Sequence, residues 1–145
     1  MPIAIQALPT GEPAPAPTTT LVIADAPDAY PCRRCMTDAL PGERLLLLEY
    51  DPFHVRSPYT GHGPIFVHAD ACEPFRHQGG IPAQLQRRLL AVRAYDENAM
   101  MRACGVVEGE DLDAALTGLL DDSDAAYVHV HYAKAGCFAC RVDRA

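Results

Sequence analysis

The sequence predicts an α+β domain: a mostly antiparallel sheet with one or two helices packed on one face. Short apolar runs bounded by Pro and Gly turns recur from Leu21 to Val142, as strands do. Only Glu110 to Leu120 carries a strong helical period, and Tyr127 to Tyr132 alternates strictly before a Gly turn. The chain has 145 residues, enough for one core, and no internal repeat interrupts it.

The elements follow in order. Ile3 to Leu8 alternates as a short edge strand, and Pro9 to Thr20, with Pro13, Pro15 and Pro17, has the composition of an extended linker. Residues 1–20 therefore read as an N-terminal arm and 21–145 as a single α+β domain. Leu21 to Ile23 resumes a strand, and Asp25-Ala26-Pro27-Asp28 turns the chain into Tyr30-Pro31-Cys32. Pro41-Gly42 turns it again. Leu45, Leu46, Leu47 and Leu48 form a run too continuous for a water-facing strand, so Arg44 to Tyr50 is expected at the centre of a sheet.

Asp51 to Gly63 reads as a loop, and Ile65 to Ala69 as the next strand. Pro82 can open a short helix through Arg88, after which Leu89 to Tyr95 either extends that helix or forms a strand. The Asp96-Glu97-Asn98 loop favours the strand, returning through Met100 to Val107 with Cys104 as a core residue. In Glu110 to Leu120, Leu112, Ala115, Leu116, Leu119 and Leu120 share one face, with acids in the first turn. A hairpin of Tyr127 to Tyr132 and Cys137 to Val142 closes the chain.

Composition narrows the function. A hydrophobic share of 49% rules out a disordered chain, and a formal charge of -7 removes the basic surface that general nucleic-acid binding needs. The apolar runs are too short to span a membrane, and Met1 to Leu8 lacks the charge and apolar pattern of a signal peptide. These features point to a soluble cytoplasmic protein, a compartment in which paired cysteines favour metal or redox chemistry over disulfides. They name no partner.

The sharpest motif is Cys32-Arg33-Arg34-Cys35, with a second C-x-x-C pair at Cys137 and Cys140. Four thiolates from Cys32, Cys35, Cys137 and Cys140 would suit one tetrahedral, structural zinc that clamps the ends of the fold together. Zinc knuckles usually carry glycine after the second cysteine, and neither Met36 nor Arg141 supplies it. Buried free thiols are the competing reading. A second set lies on strands: His68 and Cys72 in phase with Phe66 and Asp70, and His129 and His131 in phase with Tyr127. Neighbouring strands would let His68, Cys72, His129 and His131 hold a catalytic metal, although alternating histidines more often mark an outer face. A third reading makes Cys32 a reactive thiolate activated by Arg33 and Arg34, with Cys35 resolving.

From Tyr30 onward the motifs resemble the bacterial family called domain of unknown function 1203. They are Tyr30-Pro31-Cys32-Arg33, Gly42-Glu43, Ser57-Pro58-Tyr59, Gly63-Pro64-Ile65-Phe66-Val67, Arg93-Ala94-Tyr95-Asp96, and His131 leading to Gly136-Cys137-Phe138. The resemblance implies no activity. It implies a shared kernel of Cys32, Arg33, His131 and Cys137, with Cys35 and Cys140 as additions. The expectation is a zinc-stabilised binding or accessory module. The alternative is an enzyme using Cys32, Arg33 and His131, or a histidine-bound metal.

Overall fold

The leucine run builds the smaller of two sheets. The computed structural model describes residues 2–145, with strands β1 (Ile3–Gln6), β2 (Thr20–Ile23), β3 (Arg44–Tyr50) and β4 (Gly63–His68), then α1 (Ala83–Gln86). Next come β5 (Leu89–Tyr95), β6 (Met101–Glu108), α2 (Leu112–Asp121), β7 (Tyr127–Tyr132) and β8 (Phe138–Arg144). The small sheet has the order β2-β3-β4 and the large one β1-β8-β7-β5-β6. Every pairing between these strands is antiparallel, so the fold is α+β. As the run's continuity predicts, β3 is the central strand of its sheet, with Leu45 and Leu48 buried.

The large sheet is sealed on one face by α2, whose Leu112, Leu116 and Leu120 are fully buried against Leu90, Val92, Val128 and Val130. Each such leucine contributes roughly 1.5–3 kcal/mol of burial. The helix starts later than its acidic first turn suggests, because Gly109–Asp111 forms a 3-10 turn first. Gly109 explains the delay: its N–H donates to the Arg88 carbonyl at 2.8 Å, and a Cβ there would overlap the Leu85 carbonyl oxygen. Gly109→Ala should therefore cost about 3 kcal/mol or more, seen as a lowered urea midpoint at unchanged slope.

Strand β7 lies inside the large sheet and is buried on both faces, which overturns the outer-face reading of its histidines. Val128 and Val130 meet α2, while His129 packs between the rings of Phe53, Tyr95, Tyr127 and Phe138. The alternation separates an aliphatic face from an aromatic one, not core from solvent. An irregularity in the β7–β8 register places His131 opposite Phe138, although Val130 pairs with Cys140. Phe138 thereby joins Leu48, Ile65 and Val67 of the small sheet, and Cys140 stays in the core under α2.

Cys104 is exposed on β6 and not in the core, β6 being an edge strand of the large sheet among the described residues. Strand β1 pairs with β8, so the N-terminal residues complete the opposite edge. No helix among the described residues is long and apolar enough to cross a membrane.

Candidate metal centre

Cys32 and Cys35 stand on the loop between β2 and β3. The Cys32 N–H donates to the Thr37 carbonyl at 3.0 Å, and the Met36 N–H to the Cys32 carbonyl at 3.1 Å. The Arg33 N–H reaches the Phe66 carbonyl at 3.0 Å, seating the loop beside β4 through a parallel bridge of Cys32 to Phe66. Met36 has φ +58°, the left-handed conformation that glycine usually supplies after the second cysteine of a knuckle. That conformation costs a non-glycine residue about 1–2 kcal/mol, and burying the Met36 side chain contributes about as much or more. The core contact replaces the missing glycine.

The other donors come from the end of β4. His68 is its last residue, and the chain bends back so that Cys72 faces the loop. One ligand atom from each of Cys32, Cys35, His68 and Cys72 lies within 4.8 Å of the others. The Cys32 and Cys72 sulfurs are 4.0 Å apart, and Cys35 Sγ is 3.5 Å from His68 Nδ1. A tetrahedron with zinc-ligand bonds of ~2.0–2.3 Å has edges of roughly 3.5–3.8 Å, so these donors could hold a metal ion with little movement.

The surroundings favour a thiolate at one of the three cysteines. Cys32 Sγ accepts the N–H groups of Arg34 at 3.4 Å and of His68 at 3.3 Å. The Cys32 thiol shares its proton with Cys35, and this lowers Cys35, helped by the Thr37 hydroxyl at 3.1 Å. The same sharing, followed by burial, raises Cys32. Cys72 is raised chiefly by burial. Within the pair it is Cys35 that is lowered and Cys32 that is raised. Arg34 is buried beside the cluster, bonded to carbonyls of His68 and Glu12, with no carboxylate within salt-bridge distance among the described residues.

His68 has a second partner. Its Nδ1 faces Cys35, while Nε2 lies 3.1 Å from Glu43 Oε1. Glu43 is held by the Leu40 N–H at 2.7 Å, which with His68 keeps its carboxyl below the usual range. Leu45 pairs with His68 across β3 and β4, so Glu43, two residues earlier, lies on the diagonal. A carboxylate on the outer nitrogen orients a histidine toward a metal.

The structure does not join the two C-x-x-C pairs. Cys140 is fully buried under α2, and Cys137 lies just before β8, its sulfur accepting from Arg33 Nη2 at 3.1 Å. The reason is backbone shape: a knuckle needs a turn, whereas Phe138–Arg144 is extended between β1 and β7. Nor do the four residues of the second set meet. His68 and Cys72 belong with the small sheet, and His129 and His131 with the large one. The centre takes half of each expected set.

The remaining candidates hold other positions. Arg33 is 1% exposed and donates to the Phe138 and Pro31 carbonyls at 2.8 and 2.7 Å. It joins the two halves of the fold. His131 Nδ1 bonds the Gly136 carbonyl at 2.9 Å, and burial lowers this histidine to about 4. Glu43 is the part of the centre that sequence does not reveal, since nothing in its spacing indicates a role until the β3–β4 register is known.

No curated protein and no solved structure matches the chain. Residues 29–144 match the model of the family described as Protein of unknown function (DUF1203), and the chain belongs to that family.

Proposed function

We propose that the protein is a zinc-stabilised binding or accessory module in which Cys32, Cys35, His68 and Cys72 hold one structural zinc ion. The gathering of four soft donors within 4.8 Å carries this reading. Four protein ligands fill a tetrahedron and leave no open position for substrate, which favours a structural role over a catalytic one. Zinc with three thiolates and a neutral imidazole has a net charge of -1, and the Arg34 guanidinium beside it offsets that charge. The ion would fasten the Cys32 loop and the segment after β4 to the small sheet.

Elemental analysis of protein purified without added metal tests the proposal. About one equivalent of zinc is expected in the native protein and in Cys137→Ser, and less than about a tenth in Cys72→Ser. Metal-free native protein would sink the reading, as would equal loss in both variants. Glu43→Gln keeps all four ligands but removes the carboxylate from His68. It should weaken zinc binding about 10- to 100-fold in a competition titration with a chromogenic chelator.

A further inference from the structure

A second site lies between the sheets, away from the metal centre. The loop joining β3 to β4 roofs a cavity of about 280 Å³ over β5 and β7, lined by Tyr50, Phe53, Tyr59, Arg93, Tyr95 and His131 among others. Tyr95 packs edge-on against Phe53 and Tyr59, at centroid distances of 5.0 and 5.9 Å, so the walls are largely aromatic.

Two polar groups converge there. The Gly136 carbonyl can only accept, so His131 Nδ1 carries the proton and Nε2 presents a lone pair. That lone pair faces Arg93 Nη1 at 3.4 Å, a long contact for a guanidinium. Among the described residues no carboxylate lies within 4 Å of Arg93. A half-buried cation in an aromatic pocket, its side-chain partners being the neutral His131 imidazole and the Tyr95 hydroxyl and no carboxylate, is incompletely paired in charge.

We propose that this cleft binds a small organic carboxylate with a flat apolar body, the carboxylate on Arg93 and a ligand O–H or N–H donating to His131 Nε2. A single guanidinium matches a monoanion in a bidentate pair. A phosphate dianion would need a second cation, and the other residues lining the cavity carry no fixed positive charge. The volume fits about ten heavy atoms between the tyrosine rings. The proposal does not depend on zinc, because Arg93 and His131 belong to the large sheet and not to the metal loop.

Amide NMR titration of the full chain with benzoate, benzamide and inorganic phosphate tests it. Benzoate should produce saturable shifts at Tyr59, Arg93, Tyr95 and His131, with half-saturation near 1 mM, as expected for a fragment of about nine heavy atoms. Benzamide and phosphate should bind at least about tenfold more weakly. Arg93→Gln should lose benzoate binding, while Arg93→Lys should keep a weaker form. Absence of saturable benzoate shifts at these residues overturns the proposal, as does equal binding of benzamide. The benzoate-benzamide comparison uses native protein, so it decides even if a variant misfolds.

Discussion

Chelation is expected to lower the melting temperature of the native protein by about 10 °C or more, and one equivalent of zinc to restore it. Structural zinc contributes on the order of 10 kcal/mol in small domains that are unfolded without it. Here the aliphatic core under α2 and the paired strands persist without the ion, so only part of that energy appears as stability. A metal held at a thousandfold excess over its dissociation constant stabilises by about 4 kcal/mol, and each kcal/mol moves the melting point of a chain this size by about 2–4 °C. Cys72→Ala should reproduce the chelated state and become insensitive to chelator. Scanning calorimetry with and without chelator reads the effect. An unchanged melting point in both native and variant protein would mean that the four donors hold no stabilising ion.

The second large effect is loss of stability in acid through His129. Its ring is fully buried, neither nitrogen has a hydrogen-bond partner among the described residues, and burial holds its pKa down at about 3. The unfolded chain binds this proton near pH 6.5, so between about 6.5 and 3 the unfolded state carries more protons than the folded one. Stability is therefore complete above pH 6.5 and falls by about 1.4 kcal/mol per pH unit on acidification. His131, lowered to about 4 mainly by burial, adds to the same slope. His129→Leu, similar in volume, removes one titrating group and two unpaired ring nitrogens. Relative to native protein, it should gain about 3 kcal/mol between pH 6.5 and pH 4 in urea unfolding. Measuring the difference cancels the acid sensitivity of the metal ligands, and parallel pH-stability curves would refute the assignment.

The candidate site was legible in halves. Cys32 and Cys35 stand out as a C-x-x-C pair, and His68 and Cys72 as residues in phase along a strand and its extension. Their assignment to one centre was not legible, because it depends on the parallel bridge from Cys32 to Phe66, a contact between segments more than thirty residues apart. Glu43 shows why neighbours of a ligand stay hidden: its role exists only in the register that pairs Leu45 with His68. Met36 shows the limit of a motif rule, since the left-handed turn forms without glycine once its side chain is buried.

Local pattern alone determined the α+β class, the leucine face of α2, the central place of β3 and the closing hairpin, because periodicity and turn chemistry act within a few residues. Tertiary structure decided how the strands divide into two sheets, that β7 has no outer face, and which cysteines meet. Those outcomes turn on long-range register: the irregularity opposite Val130 and His131 sends Phe138 to the small sheet and leaves Cys140 under α2, while the bend after His68 brings Cys72 to the Cys32 loop. Spacing along the chain limits which donors can point the same way, but only packing brings them to the same place.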